Sequence, residues 1–208
     1  MIVNRQTVHS VAAVSNLRHY VTLMEASMKR TLQREKARLK RMRLKRDEEW
    51  YLCEQQTVEY EFREHFIPML QYSSVVLIHA VFETLLHEFC SEIEKQRTLP
   101  VTLKDMHGKG LDRARLYLTK VARIKVADLS QWQELRKLQL VRECIAHAYG
   151  NIDELRDKGQ QNQIKALEKD GVHIVHNRIR LSETFCHRQL SHLSDLMHAL
   201  QVAAKQSN

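Results

Sequence analysis

Residues 69–97 read MLQYSSVVLIHAVFETLLHEFCSEIEKQR, the most hydrophobic stretch of the chain. As a helix it has little polar face, and such a helix normally lies at the centre of a bundle. His79, Glu83 and His87 interrupt it, and we expect them on a narrow exposed strip or hydrogen-bonded inside the core. For Glu83 the alternative is a buried carboxylate that faces an active-site arginine.

The composition of the whole chain also favours helices. Its 208 residues include only five Gly and two Pro, whereas an all-β protein needs many turn residues. Ala, Leu, Glu, Lys, Arg and Gln dominate, and these residues are good helix formers. A hydrophobic content of 43% is sufficient for one sizeable core. We therefore predict an all-α helical bundle.

The segments before residue 69 suggest an extension to that bundle. Apolar residues recur at a spacing of three or four from about Asn16, which predicts a long N-terminal helix after an uncertain lead-in. Pro68 marks either the boundary before the next helix or the first turn of that helix. We therefore divide the chain into a long basic helix in residues 1–67 and a helical domain in residues 68–208.

The segments after residue 97 predict shorter elements. A helix is expected over Leu111–Lys125, and another carries Trp132 to His147 with Asp128 or Ser130 as its N-cap. Residues 151–170 are polar and predict a turn plus a short helix. Residues 171–181 predict a short β-hairpin that turns at His176-Asn177, followed by a last helix capped by Ser182.

Basic residues are concentrated in Lys29–Arg46, which holds ten of them, and the chain has a formal net charge of +8. One interpretation is a solvated helix face with ion pairs to the acids that follow. Another is an electrostatic guide for nucleic acid. A coiled-coil dimer arm is less favoured because Glu35 and Arg38 break the heptad seam.

Four cysteines, Cys53, Cys90, Cys144 and Cys186, lie far apart and form no CxxC pair. This pattern favours reduced thiols in a cytoplasmic protein. The first residues show no secretory signal pattern. The longest apolar run, Val75–Phe82, is short and interrupted by His79, so we expect no membrane span.

The candidate active site is the run Arg142-Glu143-Cys144-Ile145-Ala146-His147-Ala148-Tyr149-Gly150. A histidine can move a proton near neutral pH, and an arginine can hold a phosphate in a forked geometry. Glu143 and His147 are i and i+4 neighbours, so the carboxylate is expected to orient the imidazole. Arg142 and Tyr149 share an adjacent stripe. Together these residues suit cleavage of a phosphodiester without a metal.

A structural interpretation of the same residues competes with the catalytic one. Arginine and histidine near a helix C-terminus interact favourably with the helix dipole and with unpaired carbonyls. On spacing alone this interpretation is the better one, since Arg-x4-His occurs often by chance.

The order of elements around the motif resembles the HEPN superfamily (higher eukaryotes and prokaryotes nucleotide-binding domain) over about residues 68–200. The family signature is an arginine, four to six residues and a histidine near the end of a bundle helix, and Arg142 and His147 match it. The resemblance implies a helical bundle that dimerises with both motifs at a shared cleft. Many members are metal-independent ribonucleases, often toxins or antiviral effectors controlled by a partner such as an antitoxin.

Carried over by position, the resemblance makes Arg142 and His147 catalytic. Glu143 departs from the polar residue, often Asn, that usually follows the arginine, and a carboxylate repels phosphate. Tyr149 matches a tyrosine that partner nucleotidyltransferase antitoxins modify in some family toxins. A core or interface aromatic is the simpler interpretation of Tyr149.

Two functions from different classes follow. The first is a dimeric cytoplasmic RNA-cleaving protein of HEPN type, and the second is a non-catalytic HEPN dimer that binds nucleotides or proteins. A third is a basic helical nucleic-acid-binding protein with an accidental motif, in which Lys29–Arg46 matters and His147 does not. We expect no cofactor. We also expect no metal site, because His187, His192 and His198 lack an i, i+3 or i, i+4 pairing, and His173 with His176 alone would be a weak site.

Overall fold

A computed structural model describes residues 3–126 and 129–207 of the chain, with side chains from residue 9. It is an all-α bundle, 81% helical, with one two-stranded sheet, which confirms the predicted fold class. The helices are α1 (Val3–Met42), α2 (Glu48–Glu61), α3 (Ile67–Arg97), α4 (Gly110–Lys120), α5 (Ser130–Ala148), α6 (Lys158–Lys165) and α7 (Phe185–Gln206). The strands are β1 (Val172–Val175) and β2 (Arg178–Leu181).

Helix α3 lies at the centre of the bundle, as its sequence predicts. It contacts α1, α4, α5 and α7, and its side chains Val75, Ile78, Phe82 and Leu86 are fully buried. His79 is buried as well, while Glu83 and His87 are partly exposed. The polar residues of α3 therefore divide between the core and its edge.

The β-hairpin before the last helix is confirmed. Strands β1 and β2 are antiparallel, with Val172 opposite Leu181 and Val175 opposite Arg178. His176 and Asn177 both have positive φ, 50° and 60°, which matches the two-residue turn favoured by the twist of antiparallel strands. The hairpin is fixed to the bundle by the Tyr72 hydroxyl, which donates to the Ile179 carbonyl over 2.6 Å.

Helix α1 begins at Val3, well before the predicted start near Asn16. Its first half packs Val14, Leu17 and Val21 into the main core. Its second half packs against α2 in a separate small cluster, and we call residues 28–62 the helical arm. Three side chains are buried there, Leu39, Val58 and Phe62.

Helix α2 continues into α3 without a break in the helical backbone. A π-helical turn, Phe62–Phe66, joins them, and the residues on both sides of it keep right-handed helical backbone angles. Pro68 lies in the first turn of α3, directly after the π-helical turn, and it has no backbone N–H to donate to a helical hydrogen bond. The division drawn at residues 67 and 68 thus falls inside continuous helix.

Two predicted helix caps are wrong. Helix α5 begins at Ser130 itself, after Leu129, without a capping side chain, and Asp128 lies outside the described residues. Helix α7 begins after Thr184, and the buried Ser182 hydroxyl has no hydrogen-bond partner among the described residues. Helix α4 ends at Lys120, five residues before the predicted Lys125.

The continuous helix Glu48–Arg97 is long and apolar enough to cross a membrane by length and composition alone. The expectation of no such segment considered only the apolar run Val75–Phe82 and therefore missed this longer stretch. The core helix of a soluble bundle passes the same test. The buried side chains of α3 face the neighbouring helices of the bundle.

Candidate active site

The motif lies at the C-terminal end of α5, where the backbone is tightly fixed. Tyr149 takes a left-handed conformation after Ala148, and its N–H donates to the Ile145 carbonyl over 3.0 Å. Gly150 follows with φ +78°, and a Cβ at this position would collide with the Tyr72 hydroxyl. The glycine that ends the motif is therefore required by both backbone angle and close packing.

Arg142 lies half-buried on α5, close enough to the buried His79 of α3 that its charge lowers the pKa of that imidazole. In the described part of the chain its guanidinium forms neither a hydrogen bond nor an ion pair. A partly buried cation normally has an anionic partner. Arg142 is thus available to an anion.

His79 is 4% exposed, and burial is the main reason that its pKa is lowered, with the Arg142 charge second. The Glu83 carboxylate, 3.8 Å from Nδ1, opposes this effect. The Nε2 atom has no hydrogen-bond partner in the described residues. The His79 imidazole therefore favours its neutral form. The charge of Arg142 disfavours its protonation, whereas the charge of Glu83 favours it.

Glu143 does not orient the motif histidine. Its Oε1 accepts from the Gln139 amide over 2.8 Å, and its Oε2 accepts from the Gln160 amide over 3.2 Å. The expected pairing with the His147 imidazole is absent from residues 9–126 and 129–207. The two amides explain this, since they occupy one oxygen each and tie the carboxylate toward α6.

His147 is exposed and has no hydrogen-bond or ionic partner among the described side chains. It follows Arg142 by five residues, and five residues turn a helix by about 140° beyond a full turn. The two motif side chains therefore leave α5 in different directions. One chain does not bring them together on a single small anion.

Tyr149 is 48% exposed and lies against two neighbours. Its ring meets the Tyr72 ring edge-on, with centroids 5.8 Å apart, and the Arg178 guanidinium lies over it at 5.1 Å. This supports the interpretation of Tyr149 as a packed aromatic. Its exposed part borders an open apolar groove of about 490 Å³ that is also lined by Met69, Val76, Leu77 and Ile145.

The structure adds residues that the motif did not reveal. Tyr72, His79 and Arg178 come from α3 and β2, and Gln160 comes from α6. Of these four residues, the sequence indicated only His79, as a polar residue inside an apolar helix. The others are brought to α5 by tertiary packing.

The described residues contain no group of three or more His, Cys, Asp or Glu side chains that could hold a metal ion. Among the C-terminal histidines, His187 instead pairs with Glu25 over 2.9 Å and His192 lies 3.8 Å from Glu134. Cys90, Cys144 and Cys186 are buried free thiols, and burial raises the pKa of each to about 11 or 12. Such thiols are poor nucleophiles at neutral pH.

Comparisons with known proteins add no relative to this picture. No family model matches the chain, and no curated protein or solved structure matches it.

Proposed function

We propose that this protein is a metal-independent endoribonuclease of HEPN type that works as a homodimer. The observation that carries the proposal is the unpaired, half-buried Arg142 on a fixed helix end, with an exposed His147 on the same helix. An arginine in that state can bind a phosphodiester and stabilise the charge that develops on phosphorus. His147 is the candidate for proton transfer at the 2′-hydroxyl or the leaving oxygen.

The homodimer is proposed because a single chain separates the two groups. Arg142 and His147 leave α5 about 140° apart, so a second copy is needed to place both on one phosphate. The open groove beside Tyr149 provides a surface for that copy. Its apolar residues Met69, Val76 and Leu77 are 37–48% exposed, and an exposed apolar patch is typical of an interface between subunits.

The first experiment is an RNA cleavage assay in the presence of chelator, with the parent protein and the variants Arg142→Ala and His147→Ala. We expect cleavage by the parent and none by either variant. The two single variants are then unfolded and refolded together, so that mixed dimers form. A mixed dimer restores one intact pair of Arg142 and His147 only if each site uses both chains.

The mixture is expected to recover about a quarter of the parent activity, since about half of the dimers are mixed and each has one intact site of two. No recovery would contradict a site shared between chains. Equal cleavage by all three proteins would contradict the motif assignment. A folded dimer that cleaves no RNA would contradict the ribonuclease proposal and favour the second candidate.

That second candidate is a non-catalytic HEPN dimer that binds nucleotides or proteins. Glu143 favours it, because a carboxylate directly after Arg142 repels phosphate even though Gln139 and Gln160 hold it. The variant Glu143→Gln separates the two functions. It should increase cleavage if the parent is a ribonuclease, and should leave a non-catalytic protein inactive.

A further inference from the structure

Helix α1 has two opposite faces within the helical arm. Met28, Leu32 and Leu39 face α2 and pack in the small cluster with Val58 and Phe62. Arg30, Arg34 and Arg41 share one face within about 40°, roughly opposite Leu39 on the helix. Lys45 extends this face in the short 3₁₀ turn after α1. We call Arg30, Arg34, Arg41 and Lys45 the basic stripe; all four are exposed.

Carboxylates pair with four other cations of the arm, while the stripe, Lys40 and Arg46 form no ion pair in the described residues. The paired cations are Lys29 with Glu183, Lys36 with Glu59, Arg38 with Glu35 and Arg43 with Glu48. In the described part of the chain no stripe residue forms an ion pair. Arg41 donates its Nε to the Ala37 carbonyl over 3.3 Å, which holds its side chain along the helix without neutralising its charge.

The pairing has a simple cause in the sequence. Between Ala26 and Arg46 the only acidic residue is Glu35, and it is bound to Arg38 on the flank of the helix. The acids Glu48 and Glu59 belong to α2, so they reach only the side of α1 that faces α2. The outer face of α1 is therefore positive along about 16 Å from Arg30 to Arg41.

The chemistry of the stripe selects a partner. A row of guanidinium groups without carboxylates suits a row of phosphates, because each cation that meets a phosphate releases a counterion. Residues 30–45 contain no aromatic residue, so the stripe has no aromatic ring on which unpaired bases could stack. A charged helix face without aromatics fits the backbone of a duplex better than a single strand.

We propose that the basic stripe binds the phosphate backbone of a double-stranded segment of RNA. The choice of RNA rests on the proposed ribonuclease function, whereas the phosphate contact rests on the stripe itself. The contact is independent of base sequence, because phosphates carry no sequence information. It would hold a structured RNA on the arm while the site at α5 acts elsewhere on the same molecule.

The test measures binding of a blunt RNA duplex of about 20 base pairs over a series of salt concentrations. The stripe variant carries Arg30→Gln, Arg34→Gln, Arg41→Gln and Lys45→Gln. The control variant carries Lys29→Gln, Lys36→Gln, Arg38→Gln and Arg43→Gln, which removes the same charge from paired positions. Glutamine keeps the helix propensity close to that of lysine and arginine, and circular dichroism checks that both variants remain folded.

We expect the stripe variant to lower the slope of log affinity against log salt by about 3 to 4. The control variant should keep most of the parent slope. Equal losses in the two variants would overturn the proposal, since net charge alone would then explain binding. Capture of acidic lipid vesicles in preference to RNA, lost in the stripe variant, would also overturn it and assign the stripe to a membrane.

One more binding measurement separates this result from catalysis. Arg142→Ala should lower the slope of the parent protein by no more than about 1, because it removes at most one phosphate contact. Loss of duplex binding in Arg142→Ala would contradict a separate binding surface. If no protein cleaves RNA but the stripe variant alone loses binding, the stripe proposal stands and the ribonuclease proposal fails.

Discussion

The bundle and the helical arm are stabilised to very different extents. The bundle has a large contiguous core around α3, with many completely buried side chains. The arm buries three, Leu39, Val58 and Phe62, and adds exposed ion pairs, which contribute little stability. Burial of apolar area dominates folding stability, so the arm is the region expected to open first.

The two regions also differ in the arrangement of their charged side chains. In the bundle, Arg142 is a single cation beside a buried imidazole, fixed on the end of a core helix. In the arm, many cations lie on an exposed helix, and carboxylates of α1, of α2 and of Glu183 pair with four of them and leave the basic stripe unpaired. A fixed single cation suits chemistry at one phosphate, whereas a row of exposed cations suits binding along a chain of phosphates.

The largest expected effect comes from the bundle core. Phe82→Ala removes a completely buried ring of α3 and should lower the free energy of unfolding by about 3–5 kcal/mol. Chemical denaturation followed by circular dichroism measures it. The loss should appear in one transition of the whole bundle. A loss below about 1 kcal/mol would contradict the central position of α3.

A smaller and local effect is expected in the arm. Leu39→Ala removes the most buried side chain of the small cluster and should cost about 2–3 kcal/mol. Hydrogen exchange should show faster amide exchange in residues 28–62 while α3 and α5 keep their protection. Equal acceleration in α5 would show that arm and bundle unfold as one unit, and the comparison would be wrong.

The smallest effect is the pH dependence that His79 gives to the bundle. Burial and Arg142 lower its pKa below the ordinary 6.5, so in acid the unfolded chain binds a proton before the folded one does. Stability should therefore be complete above about pH 7 and fall below pH 6.5, by at most about 1.4 kcal/mol per pH unit for this group.

His79→Leu removes the imidazole that takes up this proton. The fall of folding stability between about pH 6.5 and 5 should therefore become less steep. Urea denaturation of both proteins over this range measures the difference. At pH 8 the imidazole is neutral in both states, so a difference there reports packing alone. An unchanged slope in the variant would contradict a neutral His79 in the folded protein.

The sequence predicted the fold class and the position of most elements because those depend on local pattern. The apolar residues of α3 identified the central helix, and His176-Asn177 identified the hairpin turn. The helix ends were predicted less well. Ser130 and Ser182 looked like N-caps, but the folded backbone starts each helix elsewhere, because packing and backbone bonds such as Phe185 N–H to the Ser182 carbonyl decide the starts.

The sequence by itself determined which groups the candidate site contains, since Arg142, Glu143, His147 and Tyr149 lie within eight residues at the C-terminal end of α5. Only the tertiary structure decided their states. It left Arg142 unpaired beside His79, tied Glu143 to Gln160 and packed Tyr149 between Tyr72 and Arg178. The physical reason is distance: these partners come from α3, α6 and β2, and no local pattern around α5 encodes which of them folding brings into contact.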